Sequence, residues 1–296
     1  MKDAKTDSLS IEGTWAGDLL ALTKPGLTTM AVGMAAGGAF LASHTPTPYH
    51  AVFHTVVGTF LVGGGAGALN QWREWTFDGA MRRTADRPIP SGRLRPIEGL
   101  AFGAGLSIAG LCYLLFFTNV LAFTLAATTL ATYLFLYTPL KRITPFAIVI
   151  GGIPGAIPPL IGWAVVSNSL NIEAWSLFGI MFFWQMPHFL ALAWMYRKDY
   201  ERAGFRTLPV VDPSGRVTGR QALVYAIALV PASVLPTYAG LLGHTFFVGS
   251  IALSVGFLFL AFRFFRTKAS VDARRLFFGS LLYLPGMVLL MILDRM

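Results

Sequence analysis

The 296-residue chain is poor in charge: Asp, Glu, Lys and Arg make up 12% of it. A soluble domain carries roughly 25% and uses that charge to cover its surface. Acids are the scarcer sign, with 14 Asp and Glu against 23 Lys and Arg, for a formal charge of +9. Cysteine is nearly absent. Cys112 stands alone in an apolar run, which excludes an intrachain disulfide and a thiolate metal cluster. The first residues, MKDAKTDSLSIEGTWAGD, lack the apolar core of a signal peptide and are too acidic for a transit peptide. No long polar linker divides the chain. What abounds is apolar, with 55% hydrophobic residues and a mean hydropathy of +0.62. That excludes disorder and makes a soluble two-domain enzyme an unlikely use of this composition.

A hydrocarbon core of about 30 Å needs roughly 20 apolar residues per helix. Nine runs qualify, near 19–42, 50–72, 97–117, 119–139, 144–167, 174–196, 221–242, 245–265 and 274–293. Numbering the loops from the N-terminus, 22 of the 23 cations fall on alternate loops, and only Arg295 falls on the other side. Such alternation is the signature of cytoplasmic loops. It predicts an all-α integral membrane bundle of nine helices, N-terminus cytoplasmic and C-terminus outside. A short tail (1–18) would precede one membrane domain (19–296), in a bacterial inner membrane. The same placement of charge excludes a nucleic-acid binder.

Acidic side chains near membrane depth are functional candidates. The second run closes on Asn70, Glu74 and Asp78, spaced i, i+4, i+8. On a helix these form one stripe, with ~6 Å between neighbours. Oxygen ligands on one face suit a hard cation such as Mg²⁺, which takes its remaining ligands from water and phosphate. The plainer alternative is a polar helix end paired with Arg73 or Arg82. A rigid basic loop follows, with Arg83, Arg87 and two prolines, and arginine forks match phosphate oxygens. A small-residue run, Gly63 to Ala68, precedes the stripe and permits close approach of a helix or a ligand.

A second cluster closes the sixth run: Arg197, Lys198, Asp199, Glu201 and Arg202, with Lys141 and Arg142 on another loop of the same side. Within the sixth run lie Gln185 and His188. If its helix continues, His188 and Asp199 share a face about 16 Å apart, as the wall of a cavity continuous with the polar mouth. A helix–helix hydrogen bond is the equal alternative for His188. His44, His50, His54 and His244 read as interfacial. A broken helix at Gly151 to Pro159 would also suit a secondary transporter, but the acids gather at one mouth rather than at the midplane.

Asn-x3-Glu-x3-Asp followed by Arg-Arg-Thr-x2-Arg-Pro-x-Pro, nine spans, and Tyr137-x-Pro-Leu-Lys-Arg142 resemble the UbiA superfamily of intramembrane prenyltransferases. Trp-Gln-Met-Pro-His-Phe (184–189), Tyr-Arg-Lys-Asp-Tyr (196–200) and Ala-Gly-Phe-Arg-Thr-Leu-Pro (203–209) resemble its haem-farnesylating branch. Glu74 and Ala203 depart from the acids usual in the wider superfamily. The resemblance implies farnesyl diphosphate and haem B as substrates and Mg²⁺ as cofactor. It implies that Asn70, Glu74, Asp78 and Asp199 hold the metal, and that Arg83, Arg87, Lys141, Arg142 and Lys198 contact diphosphate or propionates. Gln185 and His188 would contact haem. A haem A synthase or a terminal oxidase assembly factor is the partner it implies downstream. Another aromatic acceptor, in a different branch, is the alternative substrate.

Overall fold

A computed structural model describes residues 14–43 and 48–295. The expectations for Lys2, Lys5, His44 and the acids before residue 14 lie outside the described residues. Among these, nine helices are long and apolar enough to cross a membrane. In chain order the helices are α1 (Trp15–Leu22), α2 (Pro25–Ala42), α3 (Tyr49–Asp78) and α4 (Pro96–Phe117), then α5 (Val120–Leu140), α6 (Ala147–Ser167) and α7 (Ile172–Met195). After α7 come α8 (Arg197–Arg202), α9 (Leu208–Val211), α10 (Arg216–Tyr238), α11 (His244–Thr267) and α12 (Ser270–Arg295). Large apolar side chains such as Phe116, Ile108 and Leu282 are exposed along the spans, as a lipid-facing surface requires.

The first apolar run is not one helix. Thr23 closes α1 through its hydroxyl, which donates to Leu20 O at 2.7 Å. Lys24 then turns into the left-handed region, φ 51°, and Pro25 opens α2. Proline has no N–H for a helix to use and disfavours helical geometry in the residue before it. The expected run 19–42 therefore breaks at Lys24, which leaves the hydrophobic wall and enters the bundle's polar end.

α3 has 30 residues and rises ~45 Å, well over the ~30 Å hydrocarbon core. Its extra turns carry Asn70, Glu74 and Asp78. The small-residue run before them is covered by protein. Gly67 lies 3.0 Å, measured from where a Cβ would sit, from the carbonyl of Thr23. The run thus seats the α1–α2 break against α3. α6 is interrupted at Ile157, between Pro154 and the pair Pro158-Pro159. Its Gly162 packs directly on the backbone of Ala35 in α2, so the interruption serves close helix packing. In α5 the turn Thr132–Tyr137 widens to π geometry just before Pro139, and Thr138 Oγ1 donates to Tyr133 O at 2.8 Å.

Candidate active site

The α3 stripe is buried: Asn70, Glu74 and Asp78 are 2%, 7% and 2% exposed. Each is met by a cation from another segment, and neither Arg73 nor Arg82 is among them. Lys24, at the α1–α2 break, donates to Asn70 Oδ1 at 2.6 Å. Asn70 Nδ2 in turn donates to Glu74 Oε2 at 3.0 Å and to Thr138 Oγ1 at 3.3 Å. Lys141, just past α5, lies 2.6 Å from Glu74 Oε1 and donates to Oε2 at 2.7 Å. Arg87 Nη1 donates to Asp78 Oδ2 at 2.7 Å. Arg87 is held near by its own loop, where Thr84 Oγ1 donates to Asp78 O at 2.8 Å.

Aromatic rings line the same mouth. Lys141 Nζ sits 4.9 Å from the Tyr137 ring centre and 5.5 Å from that of Phe205. Arg142 lies over Phe77 at 4.3 Å. Arg83 lies over Tyr196 at 4.7 Å and reaches the Tyr200 hydroxyl at 3.4 Å. The segment after α8 is tied in by its backbone: Arg206 N donates to Lys141 O at 3.0 Å. Three loops thus converge on the end of α3.

Burial and its cationic neighbours Arg87 and Lys141 push the Lys24 amine down to about 7, against the pull of Glu74 and Asp78. Burial works against the charge of Lys141 as well. There the Glu74 carboxylate wins, by its charge and its hydrogen bond, and the pKa stands above the usual lysine range. Two lysines at one site therefore hold their protons very differently.

One expectation is changed by the geometry. The sixth run does not continue to Asp199: α7 ends at Met195, Tyr196 has φ −106°, and α8 starts afresh. The shared face of His188 and Asp199 is lost with that break. Asp199 is paired with Arg202 within α8, and no hydrogen bond or ion pair among the described residues joins it to α3. Lys198 is exposed and has no such bond either. Glu201 is exposed too.

Gln185 and His188 face different neighbours. Gln185 Nε2 donates to Gly152 O on α6 at 2.8 Å. His188 Nδ1 lies 2.7 Å from Ser280 Oγ on α12. Its ring is stacked between Trp184 and Phe277, with centres 5.4 and 4.8 Å away. The Ser280 hydroxyl donates to Phe277 O, so it accepts from His188 Nδ1–H. That network assigns the lone pair to Nε2. Of the outer histidines among the described residues, His54 is the half-buried one, with Nδ1 2.8 Å from the Tyr113 hydroxyl.

Sequence reasoning placed Lys24 only as a topological charge, quoted Tyr137 and Phe205 inside motifs without giving them a role, and overlooked Thr138. The available signal for Lys24 was a lone cation inside an apolar run, immediately before proline.

An apolar cavity lies apart from the polar mouth. A cavity of about 340 Å³ lies among Gly37, Phe40, Leu41, Met181, Met287 and Met291. These sit in the later halves of α2 and α12 and the first half of α7, away from Glu74. Its lining is almost entirely apolar.

The UbiA prenyltransferase family matches residues 31–282 of the chain. The chain belongs to that family. A relative from Solibacter usitatus, named protoheme IX farnesyltransferase, is 49% identical over 244 residues, covering 82% of this chain and 84% of the relative. One of the same name from Myxococcus xanthus is 40% identical over 99% of this chain and 98% of its own length. Among solved structures, a digeranylgeranylglyceryl phosphate synthase superposes with a TM-score of 0.80 at 18% identity, over 94% and 98% of the two chains. A UbiA homologue from Archaeoglobus fulgidus, bound to GPP and Mg²⁺, superposes with a TM-score of 0.65 at 14% identity, over 93% and 99%. At those identities the structures share the fold, and in this family member the fold brings α3 together with the loops after α1, α3 and α5.

Proposed function

We propose that the chain transfers the farnesyl group of farnesyl diphosphate to the vinyl group of haem B, with addition of water, giving haem O and diphosphate. The observation that carries this is the buried Asn70–Glu74–Asp78 stripe faced by Lys24, Lys141 and Arg87. The names of the relatives, each 40% identical or more, support haem as the acceptor. An acceptor of another aromatic class has no such support, and a transporter is a poor reading of a prenyltransferase family member.

The residues present fit Mg²⁺. Among the described residues no three His, Cys, Asp or Glu side chains form a cage, but Mg²⁺ is usually held by one or two carboxylates together with substrate phosphates. Glu74 Oε1 is buried and accepts no hydrogen bond in the structure, although Lys141 Nζ lies beside it. Glu74 and Asp78, with the Asn70 amide, would hold the ion, and Asp199 remains a proposed further ligand. Bound there, it would neutralise charge on the leaving diphosphate.

The cations do the same work in fixed positions. Diphosphate leaves poorly until the charge growing on its oxygens is stabilised, and preorganised donors supply that without reorganisation. Lys24, Lys141 and Arg87 are placed to do so. Arg83 and Arg142 are held over aromatic rings nearby, and with Lys198 they are proposed to contact diphosphate or haem propionates. The faces of Tyr137 and Phe205, already turned toward a cation, suit the allylic cation formed as the C–O bond breaks. The electron-rich vinyl carbon attacks that cation, and water captures the positive charge left on the haem side chain. No protein nucleophile is used.

The apolar cavity would take the isoprenoid tail. It begins at Gly33, about 14 Å along α2 from Lys24. Gln185 and His188 are proposed to contact haem, His188 through Nε2. A metal-bound histidine commonly donates its other N–H to a fixed partner, as His188 does to Ser280.

The cation distribution supports a cytoplasmic active-site mouth and an external C-terminus, and one membrane domain in a bacterial inner membrane is proposed with them. The product would then pass to a haem A synthase or an oxidase assembly factor. Pigment extraction tests the function. Cells expressing the chain should convert haem B into a haem heavier by one farnesyl group and one water. Unmodified haem B alone would overturn the reading.

A further inference from the structure

A second cationic site lies on other helices. α10 and α11 pack on each other, and a cleft of about 340 Å³ opens between their ends, lined by Arg216, Val217, Arg220, Phe265 and Lys268. Its three cations come from both helices. Among the described residues none of the three forms an ion pair, whereas their neighbours Arg263 and Arg275 are both neutralised by Asp272, at 3.2 and 3.0 Å. One acid close by, Asp212, feels the charge of Arg216. It is occupied in capping α10, accepting from Val217 N at 2.7 Å and Ser214 Oγ at 2.5 Å.

The surface below the cleft is apolar. On α10, Arg220 is followed at i+4 and i+7 by Val224 and Ile227, 51% and 52% exposed. On α11, Phe265 is preceded by Phe262, Phe259 and Val255, 44%, 58% and 51% exposed. The rings of Phe262 and Phe265 are in contact, with centres 6.5 Å apart. Loop charge that merely orients the protein would account for cations at helix ends. It would not account for three unpaired cations ringing one cleft with exposed apolar side chains of both helices running on from it. That combination matches an amphiphile with an anionic head.

We propose that this cleft binds an anionic phospholipid, its phosphate held by Arg216, Arg220 and Lys268 and its acyl chains lying along the exposed apolar side chains of α10 and α11. Arginine forks suit phosphate, and basic pockets between membrane helices are the usual seat of such head groups. The site is independent of the α3 stripe and of the reaction proposed there.

The test is native mass spectrometry of the full chain, released from mixed micelles holding equal phosphatidylglycerol and phosphatidylcholine. The wild-type chain should retain phosphatidylglycerol preferentially. R216Q/R220Q should lower that preference about thirtyfold. R95Q/R274Q, which removes the same charge from exposed sites elsewhere, should leave it unchanged, and R216K/R220K should keep most of it. Equal preference in R216Q/R220Q, or an equal fall in R95Q/R274Q, would overturn the proposal. So would full displacement of the lipid by millimolar inorganic phosphate, which would make the cleft a site for free phosphate without use of the apolar side chains.

Discussion

Lys141 Nζ lies between the two carboxylate oxygens of Glu74, 2.6 Å from one and 2.7 Å from the other, at a depth where both side chains are largely shielded from water. Removing one partner of a buried pair leaves the other charge uncompensated, at a cost of about 3 kcal/mol. K141M should therefore lower the unfolding midpoint in detergent more than E74Q/K141M does. Both variants should lack prenyl transfer. Equal, additive losses in a double-mutant cycle would show that the pair is not coupled.

Asp78 stands one turn beyond Glu74 and receives Arg87 at 2.7 Å. Asp78→Asn keeps the shape and can still accept from Arg87, so the chain should fold. It removes a charge from the proposed metal and diphosphate site. Loss of one charge-stabilising group of this kind costs about 10²–10³ in rate. The expected outcome is normal expression and a normal melting curve, with haem O formation down by at least that factor. Full activity would remove Asp78 from the machinery.

The parts of this architecture that were legible in the sequence are those governed by local rules. The spans follow from apolar run length, and the Asn70–Glu74–Asp78 stripe from helical spacing. The partners of that stripe were not legible, because Lys141 is 67 residues from Glu74 and Lys24 is 46 from Asn70. Pairing across such gaps is decided by packing, here by Gly67 against Thr23 and by the turn of the chain at Lys24. The misjudged face of His188 and Asp199 has a local cause. A periodicity argument assumes an unbroken helix, and one non-helical residue, Tyr196, ends it.

His188 gives a spectroscopic test. Its Nδ1–H is engaged by Ser280, which leaves Nε2 with the lone pair that iron requires. H188A should weaken haem B binding and shift the Soret band of the complex. S280A keeps the imidazole but frees its tautomer, so it should change affinity by only a fewfold while the band stays near its wild-type position. An unchanged Soret band in H188A would leave His188 as a contact between α7 and α12.

Lys24 sets a pH dependence with a definite sign. In the free protein its amine is held down to about 7 by burial and by Arg87 and Lys141, so above that pH it is mostly neutral. A bound diphosphate favours the charged amine and raises its pKa. Binding must then draw a proton onto Lys24, and by linkage the affinity falls as pH rises above 7. In K24R the group stays charged throughout, so this component disappears. Calorimetry of inorganic diphosphate binding at pH 8, in two buffers of different ionisation heat, reads the proton count directly. The wild type should take up more protons than K24R, by a fraction approaching one, and its affinity should fall more steeply from pH 7 to 9. Identical proton counts in the two proteins would mean that Lys24 is already charged in the free site, or lies outside the reach of the anion.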